Sequence, residues 1–572
     1  MGCKKYQSYY ERIDYMSASS KKKLRKENAA AALTERQKQE QAEAKKLKRI
    51  TVTFVVVMLV VALTAISILS VRAVNNSGVI DRNTIAAVTG DHELNSIQVN
   101  YYFTDSVRNM YSQWQSYYGD STTTYMSLMG LDVSKPLDEQ FANIEKTETW
   151  AERFLKQAID SAKSEYALYD KAMADPDFKL SKDQQAVLDY NLQMIELYAV
   201  YGGYSSTDKY LQAIYGYGAD MESYTEYCTV SSIASAYYSN YANALEYTDA
   251  EIRKHEEDKF NDYSSFTYAI YQVKQSDYLK SETASKDEKN PTYTDAEKAA
   301  ALAKAKEIAD NLAKSANLTD LDKAISELEI NKDAKDKVTS TKYNDTMYAS
   351  VLSAVQEWVS NKDRKADDIA VIANETTTKD KDGKETKTTS GYYVVHFTSR
   401  DDNLRHLANV RHLLVEFEGG KTDANGNKTY TAAEKAAAKN EAERLLKVWK
   451  DGKATEQTFI DLVKEHSDDT SAEDGGLFED IHRESNYVTN FKNWAIDPER
   501  KVGDTGVIES EYGYHVMYYS SDDELTYRDY MITEDLRDAD VTKWYDGINN
   551  AATVTLGKTN RINMDLIIAN II

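Results

Sequence analysis

Residues 50–70 form the segment that most constrains how this chain can fold. The segment reads ITVTFVVVMLVVALTAISILS and contains no charged residue, no glycine and no proline. A helix of about twenty residues rises about 30 Å, which is the thickness of the hydrocarbon core of a bilayer. The sequence therefore predicts one transmembrane helix, which we place at residues 50–72.

The charges on the two sides of this segment predict its orientation. Four cations precede it directly, namely Lys45, Lys46, Lys48 and Arg49, and Arg72 is the only nearby cation after it. Because cations are enriched on the cytoplasmic side, residues 1–49 are expected to be a basic cytoplasmic tail and residues 75–572 to lie outside the cell membrane. The alternative is a cleaved signal peptide, since Val71-Arg72-Ala73 resembles a cleavage site, but its basic region would be unusually long.

The overall charge excludes one class of partner. Residues 1–74 carry a net charge of +9 and the whole chain −23, so the remainder carries −32. We expect no nucleic-acid binding, because affinity for phosphates needs clustered cations. The two cysteines, Cys3 and Cys228, lie on opposite sides of the apolar segment, so no disulfide should join them if that segment spans a membrane.

Residues 75–255 have the pattern of a helical domain. Apolar and aromatic residues recur there at spacings of three and four, as in Trp150, Phe154, Leu155 and Ala158, and again in Leu188, Tyr190, Leu192, Ile195 and Leu197. Tyrosine is frequent in this region. A tyrosine combines a rigid apolar face with a polar tip, which suits contacts with exposed segments of other chains, although ordinary helix packing explains the same pattern.

Two histidines lie in strand-like stretches near the C-terminal end, VRHLLV at residues 410–415 and YGYHVM at residues 512–517. The sequence FIDLVKEHSDD at residues 459–469 and the sequence SAEDGGL at residues 471–477 lie between them. In this order the pieces resemble the parvulin family of peptidyl-prolyl cis/trans isomerases.

The resemblance implies both a fold and an activity for residues 401–522. The fold is α+β, with a four-stranded antiparallel sheet and surrounding helices. The activity is isomerisation of X-Pro peptide bonds, a slow step of protein folding. The resemblance implies no cofactor and no metal.

The parvulin pattern assigns the catalytic roles to three residues. His412 and His515 match the paired histidines on adjacent central strands beneath the substrate. Asp469 matches an acidic position close to the prolyl amide, where a carboxylate could tune the carbonyl electrostatically; its protonation state stays open.

The same pattern assigns four residues to substrate binding. Leu477, Tyr487 and Phe491 match the apolar wall that receives the proline ring, and Ser510 matches a hydroxyl that supports the histidines. The plainer alternative for Phe491 is an ordinary core residue, and Asp468-Asp469 could simply cap the next turn, chiefly through Asp468. No basic cluster adjoins the site, so we expect no preference for phosphorylated substrates.

An internal repeat precedes this domain. Tyr293–Ala301 matches Tyr430–Ala438 at an offset of 137, and the Trp358 and Trp494 segments match at an offset of 136. In this alignment tyrosines replace both histidines: Tyr268 stands at the position of His412, and Tyr393 at the position of His515. Residues 256–400 are therefore expected to form a degenerate parvulin-like domain without the catalytic site.

The order of segments resembles that of the SurA and PrsA chaperone-foldase families. The resemblance implies that residues 523–572 pack back onto the helical domain and complete a chaperone module. The expected function is a membrane-anchored extracytoplasmic foldase for unfolded exported polypeptides with X-Pro bonds. The alternative is a non-catalytic holdase for the same clients, and the oligomeric state stays open, a homodimer included.

Overall fold

The computed structural model describes residues 17–257, 259–280, 293–379, 381, 383–423 and 428–572. Cys3 lies outside the described residues, whereas Cys228 is a free thiol. The chain divides into two compact units. The first contains the residues up to Ala244 together with Lys543–Ile572, and the second is Leu245–Thr542.

A single long helix, α1 (Ala18–Asn76), contains the predicted span. Its N-terminus is capped by Ser17, whose side chain accepts a hydrogen bond from the backbone of Ser20. The part from Lys38 to Asn76 is long and apolar enough to cross a membrane, and its apolar side chains are exposed. The helix is thus longer at both ends than the predicted residues 50–72.

Two short strands and seven further α-helices follow in the described residues 77–243. They are α2 (Val79–Arg82), β1 (Ile85–Thr89), β2 (His92–Asn95), α3 (Ser96–Tyr118), α4 (Thr122–Leu128), α5 (Trp150–Ala174), α6 (Lys182–Tyr201), α7 (Thr207–Tyr215) and α8 (Met221–Asn243). The long helices begin where the sequence supplies capping side chains, at Asn95, Thr149, Ser181 and Asp220.

The rest of the chain alternates strands with helices. Its elements are α9 (Asp249–Glu256), β3 (Ser265–Lys274), α10 (Asp295–Leu312), α11 (Leu318–Ser326), β4 (Thr341–Met347), α12 (Ser353–Val359), β5 (Ile369–Lys379), β6 (Glu385–Asp401), β7 (His406–Glu416), β8 (Lys421–Thr422), β9 (Lys428–Thr429), α13 (Ala432–Asp451), α14 (Glu456–His466), β10 (Leu477–Ile481), α15 (Thr489–Ala495), β11 (Thr505–Glu509), β12 (Gly513–Thr526), α16 (Tyr527–Ala551) and β13 (Val554–Leu556).

The first unit joins distant parts of the sequence. Its sheet has the order β13-β1-β2, so a strand near the C-terminus pairs with one near residue 87. The predicted face of α5 is buried in the core of this unit. On α6 the predicted face was wrong in part, because Tyr190 is 61% and Leu197 40% exposed.

The second unit contains two four-stranded antiparallel sheets with the same topology. The first sheet has the order β4-β3-β6-β5, and the second sheet has the order β10-β7-β12-β11. In each, a long helix packs against the two central strands: α10 on the first sheet and α13 on the second.

The turns that follow α12 and α15 have the same local structure, as the repeat in the sequence predicts. The guanidinium of Arg364 lies 4.4 Å from the ring of Trp358, and that of Arg500 lies 4.8 Å from the ring of Trp494. Such a stacked cation is an attractive contact. The two sequence segments therefore have the same local structure.

Strand pairing corrects one position of that alignment. In each sheet the pairing of the two central strands begins at a glycine, Gly391 in the first and Gly513 in the second. Four residues after that glycine, Val395 lies opposite Ile270 and Met517 lies opposite His412. Ile270 thus occupies the position of His412, and the prediction of Tyr268 there was wrong by two residues. Side chains two residues apart share a face of a strand, which is why the pattern alone did not separate them.

Gly476 fixes the backbone just before β10. Its carbonyl accepts a hydrogen bond of 2.9 Å from the backbone N–H of His412, and its φ is +65°. A Cβ atom at this position would lie 2.1 Å from the carbonyl oxygen of His412. Only glycine fits here, because both the conformation and the close approach exclude a side chain.

We expect Gly476→Ala to lower the free energy of unfolding of the second unit by about 3 kcal/mol or more, since backbone would have to move. Gly503→Ala is the matched control. Gly503 also has a positive φ, of +89°, but a Cβ there meets nothing within 4 Å. The control should cost only about 1 kcal/mol. Denaturant unfolding of the full chain in detergent measures both, and equal losses would contradict the steric argument.

Candidate active site

The two histidines meet on one face of the second sheet. His412 of β7 lies opposite Met517, and His515 of β12 lies opposite Leu414, so the histidines are diagonal neighbours across an antiparallel pair. Their Nδ1 atoms are 3.0 Å apart, and the side chains are 2% and 5% exposed. The sheet register therefore creates a buried contact between two imidazoles.

Hydrogen-bonding groups lie at the outer nitrogens of both histidines. Nε2 of His515 lies 2.8 Å from Oγ of Ser510, and Nε2 of His412 lies 3.3 Å from Oγ of Ser471 and 3.6 Å from a carboxylate oxygen of Asp469. An ionised carboxylate only accepts, so Nε2 of His412 carries a proton. A hydrogen bond needs one donor and one acceptor, so a single proton lies between the two Nδ1 atoms.

The electrostatics favour an ionised Asp469 and a neutral His515. His412, together with the hydroxyl and backbone N–H of Ser471, holds the pKa of Asp469 well below its usual range. Burial, and next the nearby His412, lowers the pKa of His515 to about 4. Burial disfavours the charged imidazolium, and a second positive charge 3.0 Å away would disfavour it further.

The two neighbouring aspartates, Asp468 and Asp469, make different contacts. Asp469 caps the following turn, since its carboxylate accepts from the backbone N–H of Ser471 at 2.8 Å. Asp468 instead accepts from the backbone of Glu416 at 3.0 Å. The capping alternative therefore applies to Asp469, which also faces His412, whereas Asp468 fastens the loop to the end of β7.

A cavity of about 330 Å³ lies over the two histidines. It is lined by His412, Leu414, Glu416, Asp469, Phe478, Asn486, Tyr487, Val488, Phe491, Tyr512 and His515. The rings of Phe478, Tyr487 and Phe491 contact one another at centroid distances of 5.3–5.6 Å. The cavity thus combines a polar floor with an aromatic wall, a form suited to a small apolar ring attached to an amide.

The structure corrects one wall residue. Leu477 does not line the cavity, and its neighbour Phe478 does, with its ring 4.9 Å from that of His412. Successive side chains of a strand point to opposite faces, so only one of the two can face the histidines. Tyr487 and Phe491 line the cavity as expected, and Ser510 lies behind His515 rather than in the wall.

Phe478, Tyr512 and Ser471 are among the site residues that were not predicted from the sequence. Phe478 belongs to a strand pattern that could be read in either register, and Tyr512 stands next to the Gly513 that begins β12. Ser471 follows Asp469 by two residues, which is the spacing of a capping turn, and that signal could have identified it.

The charges around the cavity are negative. Glu416 and Asp469 line it, and none of its described lining residues is a lysine or an arginine. A phosphate group needs cations or free backbone N–H groups, so this lining is opposite in sign to a phosphate site. Nor do the described residues contain a group of three or more His, Cys, Asp or Glu side chains that could hold a metal ion.

On the same face of the first sheet, the described side chains form an apolar cluster in place of a histidine pair. Ile270 and Tyr393 occupy the two histidine positions, and Val355 occupies that of Phe491. Together with their neighbours these side chains form a packed apolar cluster. The face that carries the histidine pair in the second sheet is filled in the first.

Comparison with known protein families identifies the second sheet. Residues 412–521 match the family model of the PPIC-type PPIase domain, called Rotamase. The chain contains a parvulin-type peptidyl-prolyl isomerase domain. His412, Asp469 and His515 all lie within the matched residues. No curated protein sequence matches the chain.

Solved structures of peptidyl-prolyl isomerases are similar to parts of the chain. The PPIase domain of TBPAR42 is 22% identical over 20% of this chain and 99% of its own, with a TM-score of 0.17. PrsA from Bacillus anthracis is 20% identical over 26% of this chain and 59% of its own, with a TM-score of 0.17. PrsA from Bacillus subtilis is 22% identical over 25% of this chain and 49% of its own, with a TM-score of 0.16. The identification rests on the family model.

The lowered pKa of His515 predicts a pH dependence of stability. In the unfolded chain His515 becomes protonated below about pH 6.5. In the folded chain it stays neutral until the pH falls to about 4. The free energy of unfolding of the second unit should therefore fall as the pH drops through this window, by up to about 3 kcal/mol from this group. The lowered pKa of Asp469 affects the free energy of unfolding only below the ordinary pKa of an aspartate, which is outside this pH window.

His515→Gln isolates this contribution, because glutamine does not titrate. Denaturant unfolding at pH 7 and pH 4.5, followed by hydrogen exchange in β7 and β12, should give a smaller pH difference in the variant than in the wild type. The same pH difference in both proteins would show that His515 titrates normally.

Proposed function

We propose that this protein is a membrane-anchored foldase that acts on the extracytoplasmic side and isomerises X-Pro bonds in exported polypeptides. The observation that carries the proposal is the buried His412–His515 pair beneath an aromatic-walled cavity. The family match at residues 412–521 supports the activity. The basic residues before the apolar part of α1 support the orientation.

The reaction requires no nucleophile, because only a rotation occurs. The barrier of about 18–20 kcal/mol comes from resonance in the C–N bond, and it falls when the twisted amide is bound more tightly than the planar one. Phe478, Tyr487 and Phe491 would grip the proline ring. The hydrogen-bonded histidine pair would form a fixed floor that needs no reorganisation during the rotation.

Asp469 would act electrostatically. Its carboxylate is held ionised and lies beside His412 at the edge of the cavity. Planar amides place negative charge on the carbonyl oxygen, so a nearby anion disfavours the planar resonance form relative to the twisted one. Its hydrogen bond to Ser471 also orders the turn next to the floor.

We propose a division of labour along the chain that follows the SurA and PrsA resemblance. Residues 256–400 would be a parvulin-like domain without a site, which the shared strand order and the filled face support. Residues 75–255 and 523–572 would form the chaperone module. The pairing of β13 with β1 supports the return of the C-terminus to that module.

A holdase is the second candidate function, and one surface favours it. Helix α6 leaves a set of large apolar side chains exposed, namely Val187, Tyr190, Leu197, Tyr198, Val200 and Tyr201, the last of which is 80% exposed. Exposed apolar surface of this kind is typical of protein-binding sites. Unfolded clients would bind there without any isomerisation.

The test of the isomerase is acceleration of proline-limited refolding by the full chain in detergent. We expect His412→Ala and Asp469→Ala to reduce the acceleration by roughly ten- to a hundredfold, because each removes a preorganised part of the floor. His466→Ala is the matched control, since this histidine lies partly exposed at the end of α14 and does not line the cavity. Its activity should equal that of the wild type.

Two outcomes separate the candidates. Acceleration lost in both site variants establishes the enzyme and its site. An inactive wild type that still suppresses aggregation of an unfolded client would contradict the isomerase and support the holdase.

Protease treatment of intact cells tests the predicted topology. If residues 75–572 face outward, the protease should degrade them while an epitope before residue 45 survives. The measurement is immunoblotting with tags at both ends, with permeabilised cells as the control. Protection of the C-terminal tag in intact cells would contradict the orientation.

A further inference from the structure

The segment between β10 and α15, residues 482–488, connects the prolyl site with the first sheet. We call this segment the wall loop. Near its C-terminal end it carries Tyr487 and Val488, which line the cavity. Near its N-terminal end it carries Arg483, whose side chain is 18% exposed.

From the wall loop, Arg483 contacts two strands of the first sheet, β3 and β4. Its Nη1 donates to Oγ of Ser265 at 2.7 Å, and its Nη2 donates to the backbone carbonyl of Asp345. Nη1 also lies 3.4 Å from Oδ1 of Asn403, in the segment that joins the two sheets. A planar guanidinium can make such divergent contacts at fixed angles, which a lysine cannot.

The acceptors around Arg483 are themselves held in a defined geometry. Asp345 has a φ of +45° and Asn403 a φ of +56°, both in the left-handed region that non-glycine residues rarely adopt. Asn403 is buried and donates to the carbonyl of Tyr263 at 2.9 Å. Such conformations persist where the surrounding contacts determine them, so Arg483 meets a rigid surface.

The wall loop is short and internally bonded, so its two ends move together. The backbone of Ser485 donates to the carbonyl of His482 at 3.1 Å, and the backbone of Tyr487 donates to the carbonyl of Ser485 at 2.9 Å. A displacement of Arg483 is therefore passed within four residues to Tyr487, whose ring contacts the remainder of the aromatic wall.

We propose that Arg483 is a positioning residue for the proline-binding wall, and that the first sheet, with its own site filled, anchors the wall of the second. The inference rests on the proposed isomerase function of the second sheet. It assigns the first sheet a task that needs no contact with substrate. Removal of Arg483 or of its acceptor Ser265 loosens the wall and weakens substrate binding, while the histidine floor stays in place.

The experiment uses the full chain in detergent with Arg483→Met, Ser265→Ala and the double variant. Arg483→Met keeps the apolar stem and removes the donors, whereas Ser265→Ala deletes a single oxygen on the other sheet. Arg444→Met is the matched control, because Arg444 is an exposed arginine of α13 that pairs with Glu441. The readouts are kcat and KM for a peptide with one X-Pro bond, and hydrogen exchange of residues 482–488.

We expect KM to rise roughly three- to tenfold in Arg483→Met with kcat little changed, because the wall contributes to binding of the planar and twisted forms alike. Ser265→Ala should change KM in the same direction, and the double variant should be no worse than Arg483→Met, since both remove the same contact. Exchange should increase in the wall loop and stay unchanged in β7 and β12. Arg444→Met should match the wild type.

An unchanged KM in both variants overturns the proposal. A fall in kcat at constant KM also overturns it, because that result indicates a smaller folded fraction and no change in substrate binding. A wild type without isomerase activity would refute the proposed function instead. In that case hydrogen exchange alone decides: an unchanged wall loop in Arg483→Met and Ser265→Ala overturns the anchoring role.

Discussion

The antiparallel register of β7 and β12 is the constraint on which the site depends. It sets Met517 opposite His412 and Leu414 opposite His515, so both imidazoles point to the same face and their Nδ1 atoms come within 3.0 Å. A slip of one residue would turn one histidine towards the face covered by α13. Two contacts hold the loop before β10 against β7. Gly476 approaches the backbone of His412 closely, and Asp468 accepts a hydrogen bond from the backbone of Glu416.

A buried imidazole needs partners, and this requirement links the residues of the site. A buried polar group without a hydrogen bond costs about 1–3 kcal/mol. In the second sheet Ser510, Asp469 and Ser471 satisfy the outer nitrogens of the pair. In the first sheet Ile270 and Tyr393 stand at the corresponding positions, and the face closes into an apolar cluster. The same topology thus supports either a functional floor or a plain core, according to a few side chains.

Much of this arrangement could be predicted from the sequence. The helical period of Trp150, Phe154 and Ala158 predicted a buried face, and the resemblance to parvulins implied that the two histidine strands are adjacent in one sheet. Other features depend on information that a pattern does not contain. Leu477 and Phe478 are both apolar, so only the register of β10 decides which one faces His412. The contact of Arg483 with Ser265 spans 218 residues and leaves no local signal.

The sheet of the first unit shows the same limit. Its strands β1, β2 and β13 are short, and β13 lies more than 450 residues after its partner, so the pairing is not visible in local periodicity. On α6, Tyr190 and Leu197 fit a helical stripe and are nevertheless exposed, because none of the described elements of the first unit covers that side. Amphipathic spacing predicts a face, whereas its burial depends on tertiary packing.

We infer that His412 and His515 share one N–H···N hydrogen bond beneath the substrate. The most direct measurement is ¹⁵N NMR of histidine-labelled protein at pH 7, free and with an Ala-Pro peptide. We predict a through-hydrogen-bond coupling between Nδ1 of His412 and Nδ1 of His515, with the resonances of both rings shifted by the peptide. Two imidazoles without a mutual coupling, or without a response to the peptide, would contradict the account.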